Sequence, residues 1–250
     1  MKLSPERRYE IENALYLGHH NHRCSYLPDR MASLLYLDGS LDAATYRELL
    51  DEGYRRTGSG LYRPDCAGCQ ECRVLRIPLA SFSMTDSQRR VWKKGQRVFT
   101  YSLQKPEFDP KKLRLYRRYL LYQHRTYESD LDEQGYREFF VSSFLGANTK
   151  ELVLLHNGRP VGLSIIDIVE DVLSSVYFFF DPDVARYSPG VYSMLLEMHL
   201  AREMGLAYHY PGYYIEGCPA MNYKARFGPA EILSGEDFTP VPGRQKKSLL

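Results

Sequence analysis

The sequence predicts an α+β protein with two domains, residues 1–105 and residues 106–250. Apolar residues at helical spacing between Lys111 and Glu128 indicate a long amphipathic helix. Three β-type segments after Lys150, separated by short turns, indicate a mainly antiparallel sheet in the second domain. Four of the five cysteines lie in the first third of the chain, so we expect an α+β first domain that carries them.

Composition places the chain among globular proteins, with 44% hydrophobic and 26% charged residues. The net charge is only +2, so an argument for a nucleic-acid partner must rest on local basic patches. The first ten residues lack the apolar segment of a secretory signal, and no apolar run approaches the ~20 residues of a membrane span. We therefore expect a cytoplasmic protein without a membrane partner.

In the first domain, residues 1–23 are polar, and the three histidines of Gly18–Arg23, beside Cys24, predict either metal ligands or a solvated loop, of which the loop is the commoner case. A strand is predicted for Met31–Leu37, followed by the turn dipeptide Asp38-Gly39. Asp42 is a suitable N-cap for a helix that runs to about Gly53. Residues 54–64 predict a turn-rich, basic connection.

The cysteines form a C-x2-C-x2-C pattern, and their odd number argues against a disulfide framework. Thiolates at this spacing can reach one metal ion, and three of them need a fourth ligand. Cys24 is the nearest choice, with the histidines before it in reserve. The alternative is a Cys-rich turn without metal. The predicted ligands are Cys24, Cys66, Cys69 and Cys72.

A basic run follows Ser83 and surrounds the only tryptophan, Trp92. Such a run can neutralise phosphates of a nucleic acid, whereas the alternative is an ordinary solvated helix face. The residues assigned to nucleic-acid binding are Arg89, Arg90, Lys93 and Lys94. A strand is predicted next, over Val98–Leu103.

The second domain begins with the helix Lys111–Glu128 and a shorter one, Tyr136–Leu145. After a loop and the last hairpin strand, a helix is predicted from Pro189 to Met204, and a further strand follows it. Three antiparallel strands, a helix and a further strand are the order of an N-acetyltransferase-like (GNAT-like) domain. The predicted hairpin strands are Glu151–His156, Val161–Val169 and Val172–Phe180.

The segment Leu206–Leu233 combines five tyrosines with Lys224 and Arg226, interrupted by glycine and proline. Tyrosine offers a stacking face and a hydroxyl, while glycine and proline permit turns and close backbone approach. The pattern is typical of a surface that handles a polar substrate. The alternative is a Tyr-rich strand that only completes a sheet.

Several segments, in chain order, resemble one family, the aminoacyl-tRNA–protein transferases in their short bacterial form, the aspartate/glutamate leucyltransferases. They include CSYLPDRMASLLYLD, GYRRTGSGLYRPDCAGCQECRVLRIP, FSMTDSQRR, YRRYLLYQHR, SSVYFFFDPD, SPGVYSMLLEMHLAREMGLAYHYPGYYI and CPAMNYKARFGPAEIL. The resemblance implies transfer of an amino acid, leucine or alternatively arginine, from its tRNA to a protein beginning with Asp or Glu. The product would be an N-degron that marks the protein for proteolysis. The partners implied are aminoacyl-tRNA and such proteins.

Two positions depart from the family pattern. Ala220 stands where the family has Lys, and Val74 stands where it has Pro after the third cysteine. The missing cation at Ala220 puts in doubt a phosphate or carboxylate contact there, which Lys224 or Arg226 would have to replace.

From the resemblance we assign Tyr223 and Lys224 to the 3′ end of the tRNA, and Tyr192 and Ser193 to the reacting carbonyl. These four form the predicted catalytic set. The predicted substrate-binding residues are Arg76, His124, Tyr213 and Arg226, of which Arg76 and His124 would hold the acidic first residue of the acceptor.

The chemistry requires no cofactor, because an aminoacyl ester is already activated and needs only orientation and stabilisation of its oxyanion. An α-amine with a pKa near 8 is partly neutral at pH 7, which makes a strong general base optional. Some family members carry an iron–sulfur cluster on N-terminal cysteines, so the resemblance also implies a cluster, or zinc, on the four cysteines of this chain.

Two other functions fit parts of the sequence. The second domain alone suggests an acyl-CoA-dependent N-acetyltransferase, but the pyrophosphate loop of that class is missing from VARYSPGVYS before the long helix. A non-catalytic tRNA-binding or metal-sensing module would fit the tyrosines and cations, but it would leave the acetyltransferase-like half without a role.

Overall fold

The computed structural model describes residues 3–125, 131–235 and 237–241, with the side chain of His124 outside that description. The helices are α1 Pro5–Leu15, α2 Ala43–Asp51, α3 Asp86–Val98, α4 Pro110–His124, α5 Glu133–Tyr136, α6 Pro189–Glu203 and α7 Pro219–Asn222. The strands are β1 Tyr16–Arg23, β2 Met31–Asp38, β3 Arg55–Thr57, β4 Gly60–Pro64, β5 Arg73–Pro78, β6 Thr100–Gln104, β7 Thr149–His156, β8 Arg159–Val169, β9 Val172–Phe180, β10 Tyr208–Tyr214, β11 Glu231–Ser234 and β12 Asp237–Pro240. Within the described ranges, no helix is long and apolar enough to cross a membrane.

The strands form two sheets. The small sheet has the order β1-β2-β4-β3, and the large sheet has the order β12-β11-β5-β10-β9-β8-β7-β6. Every pair is antiparallel except β9 with β10, which run parallel because α6 carries the chain across between them. The sequence β7-β8-β9-α6-β10 is the acetyltransferase-like order predicted above, and the α+β class is confirmed.

The loop predicted for Gly18–Arg23 is wrong, because these residues belong to β1, and the helix α1 precedes them. Ser4 caps α1 by accepting a hydrogen bond from the Arg7 amide at 3.2 Å, and Pro5 occupies its first turn. β1 then pairs with β2 along its length. Residues 54–64, predicted as a connection, contain the short hairpin of β3 and β4.

The two helices predicted early in the second domain have different bounds. α4 ends at His124 because Arg125 adopts a left-handed conformation with φ 54°, and residues 126–130 lie outside the described ranges. The helix predicted for Tyr136–Leu145 begins earlier, with Asp132 capping α5, and continues as a π-helical turn over Arg137–Val141. Ser142 is extended and ends it. The other predicted helices and strands agree with the structure to within about three residues at either end.

The large sheet draws strands from both sides of the predicted domain boundary. β5 pairs with β10 and β11, and β6 pairs with β7, although β5 and β6 both precede residue 105. The division at residue 105 therefore stays a prediction, while the sheets themselves separate residues 16–64 from the strands that follow.

Close packing places α3 against α6 on one face of the large sheet. A Cβ atom on Gly95 would lie 2.1 Å from the Tyr192 ring, so the two helices approach at a position that only glycine permits. A capping box between Thr85 and Gln88 fixes the start of α3. The opposite side of α3 carries its basic side chains into solvent.

A buried ion pair fastens the small sheet to the large one. Arg56 on β3 meets Asp167 on β8 at 2.8 Å, with both side chains fully buried. The Asp167 carboxylate also accepts hydrogen bonds from Tyr46 at 3.2 Å and Thr149 at 2.7 Å. Tyr213 on β10 adds a further link, donating to the Gly53 carbonyl at 2.7 Å. The space between the sheets is therefore fixed in width.

We predict that Asp167→Ala destabilises the protein by about 3–5 kcal/mol, because it leaves the Arg56 guanidinium buried without its counter-ion. The matched control is Asp171→Ala, which removes the half-exposed partner of Arg47 and should cost less than about 1 kcal/mol. Urea unfolding followed by circular dichroism measures both. Equal losses in the two variants would contradict the assignment.

Candidate active site

The candidate site lies where β9 and β10 separate. The two strands pair only from Val172 to Ser174 and from Tyr208 to Tyr210. Beyond that point they diverge, with an irregularity in β10 before Gly212 and another between β8 and β9. In the described part of the chain, backbone groups on the facing edges of the diverging strands have no ladder partner across the gap. Such groups are available to a ligand.

A pocket of about 430 Å³ lies between this gap and the small sheet, a size typical of small-molecule sites. Its walls come from both sheets, and tyrosine rings form much of them. The side chains that line it include Cys24, Tyr26, Tyr36, Arg55, Arg56, Tyr62, Cys66, Cys69, Cys72, Ser174, Ser175, Tyr177, Tyr213, Met221 and Lys224. No Asp or Glu of the described chain lines it.

Lys224 is the predicted catalytic residue that the structure places in this pocket. Its ammonium donates a hydrogen bond to the Tyr213 carbonyl at 3.0 Å, which holds it against β10. Burial lowers the pKa of Lys224 to about 8, and the positive charge of Arg55 acts in the same direction. Lys224 is therefore still mostly charged at neutral pH, although its burial and the nearby Arg55 make the charged form less favourable than in water.

A buried polar network holds the two strands where they begin to diverge. Glu197 on α6 accepts hydrogen bonds from Ser175 on β9 at 2.5 Å and contacts His209 on β10 at 3.0 Å. Burial raises the pKa of Glu197, but the bonds from His209, Ser175 and Ser164 outweigh it and keep the pKa below its ordinary value. One carboxylate thus ties α6 to both edges of the gap.

The four predicted cysteine ligands line one wall of the pocket. Burial, together with the neighbouring sulfurs of Cys66, Cys24 and Cys69, raises the pKa of Cys72 to about 12. The four sulfurs are thus neighbours. Within the described residues, however, no group of three or more Cys, His, Asp or Glu side chains is placed to hold a metal ion. Metal binding at the cysteines stays a prediction, and no step below depends on it.

The other tyrosine-segment residues are distributed around the gap. Tyr213 is buried and lines the pocket. Tyr223 packs instead against the core beneath α6, and its pKa is raised by burial and by the charge of Glu197. Arg226 is exposed, and its carbonyl accepts a hydrogen bond from Gln88 of α3 at 3.1 Å.

Other predicted site residues do not line this pocket. Tyr192 and Ser193 are 2% exposed in α6, where Tyr192 packs on Trp92 and Ser193 donates to Glu197. Arg76 pairs with Glu231 at 2.7 Å and lies 3.8 Å from a second carboxylate, that of Asp51. The His124 side chain lies outside the described part of the chain. The roles assigned to these four residues stay predictions.

The four basic residues assigned to nucleic-acid binding are all exposed on α3. Arg89 forms an ion pair with Asp86, and Lys94 donates to the Arg186 carbonyl at 3.0 Å. Trp92, in contrast, is partly buried between α3 and α6, where it contacts Tyr192 and His199. The exposed face of α3 therefore presents cations without an aromatic platform.

Sequence reasoning missed Arg55, which lines the pocket from β3. It lies in GYRRTGSGLYRP, a segment that carries the family resemblance but that the sequence predicts only as a turn-rich, basic connection. A cation pair inside a resembling segment, with no function assigned to it, was the available signal. Tyr26 and Tyr62, which also line the pocket, carried no distinguishing pattern.

Comparison with known proteins gives consistent matches over most of the chain. Residues 22–90 match the family model described as arginine-tRNA-protein transferase, N terminus, and residues 111–234 match the one described as its C terminus. The chain is 35% identical over 225 residues to the aspartate/glutamate leucyltransferase of Hahella chejuensis, covering 88% of this chain and 94% of that protein. It is 36% identical over 217 residues to the protein of that name from Acinetobacter baumannii, covering 85% and 79%.

Among solved structures, the chain is similar to the C-terminal domain of a putative lysylphosphatidylglycerol synthetase from Agrobacterium fabrum. The sequence identity is 16%, the TM-score is 0.49, and the match covers 78% of this chain and 62% of that one. This likeness is too weak to assign the fold. The order of strands and helices in the second half establishes the fold instead.

We predict that Lys224→Met stabilises the protein at pH 7 by about 1–2 kcal/mol. The gap between the ordinary lysine pKa of 10.5 and about 8 in the folded state corresponds to about 3 kcal/mol, and the lost bond to Tyr213 offsets part of it. Below pH 8 the folded protein carries the full cost of the buried charge. As the pH rises from 8 to 10.5 that cost disappears, so the advantage of the variant should shrink.

Urea unfolding at pH 7, 9 and 10 measures the difference between the variant and the natural protein. The control is Lys105→Met at an exposed lysine, which should change the free energy of unfolding little at any of these pH values. A difference for Lys224→Met that does not vary with pH would contradict the explanation.

Proposed function

The chain belongs to the arginine-tRNA-protein transferase family of aminoacyltransferases, and from that premise we propose that it transfers leucine from leucyl-tRNA to proteins beginning with Asp or Glu. The relatives named aspartate/glutamate leucyltransferase support leucine as donor and acidic N-termini as acceptors. The product is an N-degron that directs the acceptor protein to proteolysis. Because the donor is a charged tRNA, the proposal includes a cytoplasmic location for this activity.

The pocket at the diverging strands is the observation that carries the proposal. Among its lining side chains Arg30, Arg55, Arg56 and Lys224 are basic, and none of the described lining residues is acidic. A site of this charge attracts an anionic group and disfavours a cationic one. An acceptor beginning with Asp or Glu meets that requirement, whereas one beginning with Lys does not.

The reaction is an acyl transfer from an ester to an amine. The neutral α-amine of the acceptor attacks the leucyl carbonyl carbon, an amide bond forms, and the bond to the tRNA 3′ oxygen breaks. The proton lost by the amine ends on that departing oxygen. Because the ester is already activated, orientation of the two substrates and stabilisation of the tetrahedral oxyanion supply the catalysis.

Groups around the gap support this chemistry. Past Ser174 and Tyr210, the described residues of β9 and β10 form no ladder with each other, so the backbone N–H groups that face the gap are suitable donors to an oxyanion. Lys224 brings a positive charge to the same edge through its bond to Tyr213. Glu197 keeps the two edges at a fixed separation.

The exposed cations of α3 support a second part of the proposal, the binding of tRNA phosphates. Gln88 joins the start of α3 to the Arg226 carbonyl, so this helix is attached to the segment that carries Lys224. A tRNA backbone bound to α3 would thus lie close to Arg226, two residues after Lys224 of the pocket.

We predict that the purified protein transfers leucine from leucyl-tRNA to peptides beginning with Asp or Glu, and not to those beginning with Ala or Lys. Labelled leucyl-tRNA and arginyl-tRNA are supplied separately, and the product is identified by mass spectrometry. N-acetylated Asp and Glu peptides are the control, since a blocked amine must not react. Arginine transfer would keep the family and overturn the donor, whereas no transfer from either tRNA would overturn the function.

We predict that replacing Arg89, Arg90, Lys93 and Lys94 together by glutamine weakens tRNA binding and flattens its salt dependence. Each lost phosphate contact should reduce the slope of log affinity against log salt by about 0.7–0.9. The matched control replaces four exposed basic residues outside α3 by glutamine and so has the same net charge: Lys105, Lys111, Arg114 and Arg159. Equal slopes for the two variants would remove tRNA binding from α3.

A further inference from the structure

Two basic side chains inside the pocket have no carboxylate partner among the described residues. Arg56 is neutralised by Asp167, whereas Arg30 is exposed to solvent and donates to the Cys69 sulfur. Arg55 and Lys224, in contrast, form no ion pair with any carboxylate of the described chain. Two cations inside the pocket therefore lack a counter-ion.

Arg55 is the more deeply buried of the two, with 4% of its surface exposed. It lies between the rings of Tyr210 and Tyr213, with its guanidinium carbon 5.4 and 5.5 Å from their centres. Only Nη1 is used, donating to the Tyr54 carbonyl at 2.9 Å and, more weakly, to that of Leu50. Nε and Nη2 are buried and have no hydrogen-bond partner among the described residues. A buried guanidinium with unused donors is costly to keep.

Lys224 extends the same unbalanced charge toward the gap between β9 and β10. Its ammonium has one backbone acceptor, the Tyr213 carbonyl, and a weak contact with the Met221 sulfur at 3.6 Å. Arg55 is close enough for its charge to oppose protonation of Lys224. An anion bound beside both side chains would relieve this repulsion and compensate both burials.

We propose that Arg55 and Lys224 together recognise the side-chain carboxylate of the acceptor's first residue, with Lys224 in direct contact and Arg55 supplying charge behind it. The inference rests on the proposed function and adds the residues that determine acceptor specificity. A carboxylate at Lys224 keeps the acceptor's α-amine within the same pocket, beside the edge of β10 where the ester must be presented. Arg76, one of the two residues that the sequence predicts for this role together with His124, already has its charge matched by Glu231 and Asp51.

A tRNA phosphate is the other anion that could meet this pair, but the pocket favours the carboxylate. Its volume of about 430 Å³ suits one amino-acid residue and part of the next, and tyrosine rings and thiols form its walls. The exposed cations of α3 already offer phosphate contacts in solvent. The experiment separates the two sources.

The test compares acceptors that differ only in side-chain charge. Peptides beginning with Asp and Asn, and with Glu and Gln, are assayed for kcat/KM in Lys224→Met and in the charge-preserving Lys224→Arg. We expect the Asp/Asn ratio to fall at least about 30-fold in Lys224→Met, because the carboxylate loses a buried ionic partner. The ratio should be largely retained in Lys224→Arg and unchanged in Lys105→Met. Arg55→Lys should lower it less than Lys224→Met.

A fall in kcat/KM by the same factor for Asp and Asn acceptors would overturn the proposal and assign Lys224 to a step common to both. A constant ratio with a raised KM for leucyl-tRNA would overturn it in favour of a phosphate ligand. Failure of the proposed function is distinguishable, since the natural protein would then transfer to no acidic acceptor.

A second measurement needs no variant. The natural protein is acylated with an amine-selective reagent in the presence of equal amounts of the Asp or the Asn peptide, and labelling of Lys224 is quantified by mass spectrometry. Both peptides consume the reagent equally, so a difference reports protection of the lysine. We expect several-fold lower labelling with the Asp peptide, and equal labelling would overturn the proposal.

Discussion

The buried ion pair between Arg56 and Asp167 is the contact on which the site most directly depends. It joins β3 of the small sheet to β8 of the large one, and the pocket is the space that these two sheets enclose. With Tyr46 and Thr149 also bonded to the carboxylate, the pair has the additional hydrogen bonds that a buried charge needs. The two sheets are therefore held in a fixed position relative to each other, and residues from each can act on one ligand.

A second constraint lies beneath the gap itself. Glu197 is satisfied by serine hydroxyls and by His209, which come from α6, β8, β9 and β10. Polar networks of this kind are stabilising only when their members are paired. Behind the gap the charge is compensated within the protein, whereas at Arg55 and Lys224 it is not. The uncompensated charges of Arg55 and Lys224 lower the stability of the protein where we expect a ligand. The paired network around Glu197 stabilises the protein where the separation of β9 and β10 must be kept.

Much of the fold could be predicted because its signals are local. The hairpin turns at Asn157-Gly158 and Glu170-Asp171, the cap at Asp42 and the helix that starts at Pro189 all depend on neighbouring residues. The errors have local causes as well. Gly18–Arg23 looks like a loop because β1 is an edge strand, so most of its side chains face solvent and the sequence shows no alternation of polar and apolar residues.

The sequence by itself determined the α+β class, the acetyltransferase-like order of the second half and the family, and it predicted Lys224 as a site residue. Only the tertiary structure decided which residues meet Lys224. Arg55 precedes it by more than half the chain, and it acts on Lys224 only because the fold brings β3 of the small sheet close to the segment after β10. The physical reason is that helical and hairpin signals act over a few residues, whereas the balance of charge in a pocket is a property of the folded surface.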